Sequence, residues 1–261
     1  MKGPPPTSIL ITGASSGIGA ALARHYARPG AALWLGGRNQ ARLDAVAADC
    51  RGRGAATDVA AIDVMDRDAM RAWVARADAI DPLDLVIANA GVGAAARSGG
   101  ETEADALRVL GINLMGVLNA FYPAVECMLR RGRGQIAVMS SLAGFRGLPS
   151  DPAYCASKAA LRSFGEAQRP VLAGLGIRLS VICPGFVATP MTARNAFPMP
   201  FLVSAERAAA IIARRLARNR ARIAFPWPLA AAVWLLAALP PAWTDPVLAG
   251  LRGRERARGR A

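Results

Sequence analysis

From residue 7 onward, apolar runs of strand length alternate with segments whose apolar positions recur at helical spacing. The strand-length runs are 7–12 (TSILIT), 32–36 (ALWLG), 55–62, 83–88 (LDLVIA), 134–140 (GQIAVMS) and 177–183 (IRLSVIC). Most are continuously apolar rather than alternating, which is the pattern of strands buried on both faces of a sheet. Helices are predicted between them at 17–28, 39–50, 66–79, 103–131 and 152–174. Another at 204–219 leads to a short last strand, 222–225. This alternation predicts an α/β fold, a doubly wound parallel sheet of about seven strands with right-handed crossovers and helices on both faces.

The pattern changes after Pro226. Residues 229–239 are apolar all round and are stopped by Pro240-Pro241. That run is far short of the roughly 20 residues a bilayer-spanning helix needs. Extending it to residue 251 crosses two prolines and Asp245. The chain therefore divides into a main domain, 1–226, and a short apolar helical extension with a basic tail, 227–261. Two readings of the extension stay open: packing against a subunit or the substrate cleft, or lying in a membrane interface. Trp227, Trp234 and Trp243, followed by basic residues, are what an interface would reward.

Composition adds three constraints. The 261 residues are 53% hydrophobic and 19% charged, as expected of a folded chain. The formal charge is +14, but the arginines are spread along the sequence. Only 252–260 form a basic cluster, read as a solvated tail or as a lipid-headgroup contact, so no nucleic-acid partner is expected. Cys50, Cys127, Cys155 and Cys183 are too far apart for a metal knuckle or redox pair, which predicts no metal, reduced thiols and a cytoplasmic setting. The N-terminal residues show no signal-peptide pattern. His25, the single histidine, lies in a predicted helix, so the chemistry must do without a histidine base.

The first predicted strand ends in Thr12-Gly13-Ala14-Ser15-Ser16-Gly17-Ile18-Gly19 and runs at once into a helix. Glycines there permit a tight turn and let backbone N–H groups approach a phosphate, beside the partial positive charge of a helix N-terminus. Placed directly after the first strand of a βαβ pattern, such a loop points to a dinucleotide.

Tyr154 and Lys158 supply the second signal. Of 32 basic residues only Lys2 and Lys158 are lysine, and Lys158 follows Tyr154 by one helical turn. Residues four apart share a helix face. A free tyrosine has a pKa of about 10, and a neighbouring ammonium is expected to lower it toward the operating pH of an acid–base catalyst.

With these motifs, the chain resembles the short-chain dehydrogenase/reductase family in its compact single-domain, Rossmann-type branch. The resemblance covers residues 7–190. It rests on TGASSGIG, on Asn89-Ala90-Gly91 after the fourth strand, on Ser141 thirteen residues before Tyr154, on Tyr154-x-x-x-Lys158, on Asn113, and on Pro184-Gly185 with Thr189. It implies Asn113, Ser141, Tyr154 and Lys158 as catalytic residues. It also implies a cofactor site formed by Gly13, Ser15, Ser16, Gly17, Ile18, Gly19, Asp63, Val64, Asn89, Ala90, Gly91, Tyr154, Lys158, Pro184, Gly185, Val187 and Thr189. Asn113 would hold a relay water near Lys158, Asn89 would support a helix or the cofactor through backbone contacts, and Asp63 and Val64 would meet the adenine. From the residues alone, the alternative reading of Asp63 is a helix N-cap for the segment that follows.

At the end of the second strand the chain has Gly36-Gly37-Arg38-Asn39, with no carboxylate to grip a ribose. Arg38 could pair with a 2′-phosphate, so NADP(H) is preferred and NAD(H) not excluded, although Ser15 and Ser16 stand where many NADP-preferring relatives carry a basic residue. The expected reaction is interconversion of a ketone and an alcohol. Met, Phe and Pro in a predicted lid at about 186–204 indicate a hydrophobic or lipid-like substrate. Rival readings are a 3-oxoacyl-thioester reductase, a hydroxysteroid-type dehydrogenase, and a non-catalytic nucleotide-binding scaffold at a membrane. The resemblance also implies a homodimer or homotetramer.

Overall fold

The computed structural model describes residues 5–93, 100–195 and 198–258, with side-chain detail ending at residue 250 and omitting positions 194 and 247. Lys2 and the side chains of the basic cluster 252–260 lie outside the described residues, as do positions 196–197 of the predicted lid.

The strands are β1 Ser8–Thr12, β2 Ala32–Gly37, β3 Ala56–Ala61, β4 Leu85–Ala88, β5 Gly134–Met139, β6 Ile177–Pro184 and β9 Arg222–Phe225, with two short strands, β7 Val187–Ala188 and β8 Val203–Ser204, between the last pair. Seven form one sheet in the order β3-β2-β1-β4-β5-β6-β9, every pairing parallel. The helices are α1 Gly17–Tyr26, α2 Gln40–Gly52, α3 Arg67–Ile80, α4 Glu103–Leu110, α5 Gly116–Leu129, α6 Pro152–Gly174, α7 Ala205–Leu216, α8 Trp227–Ala238 and α9 Pro241–Arg258.

Alternate strand residues feed two cores. Ile9, Ile11, Leu33 and Leu35 pack with α1, α2 and α7 through Leu22, Leu43, Ala47 and Ile212. Leu10, Trp34, Val86 and Val138 pack with α3, α5 and α6 through Met70, Trp73, Phe121 and Leu161. Burial on both faces explains why the strands read as unbroken apolar runs. The exception is β3, whose residues are half-buried or exposed because it forms the sheet edge.

Two predicted elements differ in detail. The expected helix 103–131 is interrupted by a π turn, Gly111–Met115, joining α4 to α5. Pro240-Pro241 end α8 as expected, and beyond them a further helix forms that was not among those predicted. Pro241 occupies its first position, where a missing N–H costs nothing. Thr244 and Leu248 are buried, and Arg146 donates to Thr244 Oγ1 at 2.8 Å and Asp245 Oδ1 at 3.1 Å. The predicted lid contains a 3-10 turn, Thr192–Arg194, and closes by pairing β7 with β8.

A buried ion pair ties three elements below the sheet. Arg131 donates to both carboxylate oxygens of Asp78, at 2.7 and 3.0 Å, and to the carbonyl of Leu83. Asp78 Oδ1 in turn accepts from Leu83 N at 3.0 Å. Arg130 approaches the same carboxylate at 3.6 Å from a more exposed position. Arg131→Ala leaves a carboxylate that is 8% exposed with only the Leu83 N–H and the more distant Arg130, and urea unfolding is expected to show a loss of about 3 kcal/mol.

Candidate active site

The sheet order reverses direction at β1 and β4, and the crevice outside their carboxyl ends is where an α/β sheet receives a ligand. The glycine loop lies there. Gly13 has φ +67°, and a Cβ on it would come 2.8 Å from Ala90 Cα. A Cβ on Gly19 would lie 2.2 Å from the Gly13 carbonyl oxygen. Thr12 Oγ1 accepts from the backbone N–H groups of Asn89 and Ala90, both at 3.0 Å. The Asn89 side chain donates back to the carbonyls of Thr12 at 3.0 Å and Gly13 at 3.3 Å. Asn89 thus braces the loop through both its backbone N–H and its side chain.

Ser16 is the N-cap of α1 but its side chain makes no capping hydrogen bond, which leaves the first-turn N–H groups to an anion. Half-buried Ile18 packs beneath against the core, while Thr189 reaches over Gly17, its methyl 3.1 Å from where a Cβ would stand. Val187, buried, starts the lid that carries Thr189. These residues fit the phosphates of a dinucleotide.

Arg38 follows β2, is exposed, and has no hydrogen bond or ion pair among the described residues. Ser15 Oγ stands 3.3 Å from a Cβ position on Gly37, bringing loop and strand end together. Asp63 is exposed and accepts from Met65 N at 2.9 Å. It is not the cap of α3. That role belongs to Asp66, whose carboxylate accepts from Ala69 N. Val64 is buried, and its carbonyl accepts from Asn119 at 2.9 Å.

At the other half of the crevice, α6 enters at Pro152 with Ala153 N donating to Glu101 Oε2 at 3.1 Å. One turn on, Lys158 is 3% exposed. Its Nζ donates to the Met139 carbonyl at 2.9 Å, and its own carbonyl accepts from Ser140 Oγ at 2.7 Å. The ammonium stands 5.6 Å from the centre of the Tyr154 ring. Ser141 Oγ accepts from Ala143 N at 3.1 Å, makes a long 3.4 Å contact to the Pro184 carbonyl, and lies near enough to the Tyr154 phenol to lower its pKa. The next residue, Gly185, donates to the Phe225 carbonyl at 2.8 Å, which fixes the strand end beside the lid.

The π turn presents Asn113, fully buried, to the same centre. Its Oδ1 accepts from Val92 N at 2.7 Å, and its Nδ2 donates to Val92 O at 2.9 Å and Ser157 Oγ at 3.2 Å. Ser157 Oγ in turn donates to the Tyr154 carbonyl at 2.7 Å. Asn113 therefore braces the loop and α6, and makes no direct bond to Lys158. A Cβ on Gly91 would sit 3.2 Å from Asn113 Oδ1 and 3.4 Å from Lys158 Nζ, so glycine keeps the space between them. Sequence reasoning missed Thr12, Ser140 and Ser157. Each is adjacent to a recognised residue, and that adjacency was the only available signal.

Burial moves the two titrating groups in opposite directions. Tyr154 is pushed up to about 12, chiefly by desolvation, with the Ser141 hydrogen bond pulling partway back. The expected lowering by Lys158 is not what the geometry gives. The ammonium faces the Met139 carbonyl and the ring rather than the hydroxyl, and burial prevails. Desolvation brings Lys158 down to about 8.

A lysine whose folded pKa lies below its unfolded value penalises folding while charged. The penalty is fully present below pH 8 and is relieved as pH rises toward 10.5, because the folded chain then binds fewer protons than the unfolded one. It amounts to about 3 kcal/mol. Lys158→Met is accordingly expected to melt no lower than the parent at pH 7, with any advantage shrinking toward pH 10. A lower melting temperature at pH 7 would show the ammonium to be stabilising.

Comparison with known proteins agrees with this geometry. Residues 7–197 match the family described as short chain dehydrogenase. An oxidoreductase of Myxococcus xanthus is 39% identical over 250 residues, covering 93% of this chain and 96% of its own. Another from Mycobacterium tuberculosis is 37% identical over 241 residues, covering 90% and 95%. Among solved structures, an alcohol dehydrogenase from the archaeon Thermococcus sibiricus, complexed with 5-hydroxy-NADP, superposes with a TM-score of 0.73 at 26% identity, covering 83% of this chain and 94% of that one. The chain belongs to the short-chain dehydrogenase family, and is an oxidoreductase built on an NAD(P)-binding Rossmann fold.

Proposed function

We propose that the protein reduces a hydrophobic ketone to a secondary alcohol with NADPH, or runs the reverse reaction. The observation that carries this reading is the convergence of Ser141, Tyr154 and Lys158 at the carboxyl ends of β5 and β6. When bound, the nicotinamide supplies or accepts the hydride. Tyr154, protonated at neutral pH because its pKa is about 12, gives its phenolic proton to the carbonyl oxygen as negative charge develops there. Ser141 steadies the same oxygen by a hydrogen bond aimed at the developing alkoxide. Lys158 holds positive charge beneath the Tyr154 ring and offers ammonium protons to the cofactor's ribose. Asn113 and Ser157 position α6, and through it Tyr154.

The glycine loop, with Asn89, Ala90 and Gly91 behind it, is assigned to the pyrophosphate and neighbouring ribose. Asp63 and Val64 are assigned to the adenine, and Pro184, Gly185, Val187 and Thr189 to the nicotinamide end. Arg38 supports the NADP(H) reading: it is exposed, makes no bond among the described residues, and has no carboxylate beside it in Gly36–Asn39. A hydrophobic substrate is supported by Met191, Phe201 and Leu202, all exposed on the lid.

Two substitutions test the assignment. Tyr154→Phe is expected to lower kcat for NADPH-dependent ketone reduction by about 10³-fold, the scale of a lost general acid, while leaving the Kd for NADPH near the parent value. Activity unchanged by that substitution would sink the mechanism. Arg38→Ala is expected to raise KM for NADPH by roughly 10- to 100-fold, the worth of a charged hydrogen bond, without raising KM for NADH. Equal effects on both cofactors would remove Arg38 from 2′-phosphate recognition.

A further inference from the structure

We propose that α8 and α9 form a docking surface for anionic lipid bilayers beside the mouth of the active-site crevice. This inference does not depend on the reaction assigned above. From Trp227 to Ala238, α8 contains no charged residue, and none of its residues is fully buried. Its two faces differ. Leu229, Ala230, Val233, Leu236 and Ala237 are partly covered, and Leu229 packs against Gly185. The opposite stripe of Trp227, Ala231, Trp234, Leu235 and Ala238 is exposed, with Trp227 at 77% and Trp234 at 61%.

Those five positions lie at i, i+4, i+7, i+8 and i+11, a single helix face. On a helix turned to water that face is expected to be polar. At about 1.5 Å per residue the helix reaches about 18 Å, too short for a hydrocarbon core of about 30 Å, so it suits lying in the interface.

Charge selects the occupant. α9 adds Trp243, 71% exposed, and the sequence then runs into Arg252, Arg254, Arg256, Arg258 and Arg260, with Glu255 the single acid among them. Tryptophans next to clustered arginines match an anionic headgroup layer over an apolar one. A symmetric second copy of this chain would bring the same arginine cluster to the same place, whereas an anionic bilayer brings the opposite charge.

The surface is also rooted and placed. Thr244 and Leu248 are buried and Arg146 holds α9, so the pair of helices is anchored to the loop that follows Ser141. Pro184 and Phe225 are register partners at the ends of β6 and β9. The lid leaves from the first strand and α8 from the second, so a bilayer under α8 borders the crevice.

The test mixes full-length protein with vesicles of phosphatidylcholine alone, or of phosphatidylcholine with phosphatidylglycerol, some carrying brominated acyl chains. Flotation with the anionic vesicles, weakened by added salt, is expected, together with quenching of tryptophan emission by the bromines. Trp34 and Trp73, buried in the core, supply the unquenched remainder. Trp234→Ser with Leu235→Ser is expected to lower the vesicle-bound fraction at least tenfold. Protein that stays unbound on anionic vesicles, or floats without quenching, overturns the proposal. So does a double variant that keeps full vesicle binding but elutes as a smaller species than the parent on gel filtration, which would assign the stripe to a second copy. The wild-type flotation and quenching decide the matter even if the variant fails to fold.

Discussion

A lysine ammonium that is 3% exposed must find in the protein what it has lost from water. Lys158 finds it in the Met139 carbonyl, 2.9 Å away at the end of β5. That bond fixes the height of α6 over the sheet, and the Ser140 hydroxyl fixes it again through the Lys158 carbonyl. With α6 set, Tyr154 stands one turn earlier beside Ser141, and Ser157 beside Asn113. The requirement also explains the residue type in a chain that otherwise uses arginine. A compact ammonium with three donors can be desolvated against one carbonyl and keep protons for a ligand, whereas a guanidinium brings five N–H groups in a fixed fork.

Burial thus does two things at once. It costs stability through a charge held out of water, and it pulls the two titrating groups apart, Tyr154 up and Lys158 down. Such opposed shifts in one crevice mark functional sites more than structural ones. The π turn belongs to the same arrangement. A regular helix has no spare residue to turn Asn113 inward toward Val92 and Ser157, and π bulges recur where function requires such a detour.

The sheet was legible because parallel strands covered on both faces must be apolar throughout, and because glycine, proline and capping residues punctuate them. Gly13, Tyr154 and Lys158 were legible because backbone sterics and charge leave few alternatives at those places. What the sequence hid depends on the third dimension. The π turn has the same apolar spacing as the helix around it. Asp63 and Asp66 are both plausible caps, and only backbone direction separates them. The upward shift of Tyr154 follows from desolvation, which a one-turn spacing does not reveal. Pro240-Pro241 do end α8 at Ala238, but the new helix beyond them was hidden because the contacts of Arg146, Thr244 and Leu248 that hold it are tertiary.

The central claim, that the site is organised around a desolvated Lys158 ammonium, is open to direct measurement. Lys2 and Lys158 are the only lysines in the chain, so protein labelled with 13Cε-lysine gives two signals that can be followed through a pH titration by NMR. The account predicts that the Lys158 signal, assigned by its loss in Lys158→Met, titrates near pH 8. A Lys158 signal titrating at the ordinary lysine value of about 10.4 would contradict it.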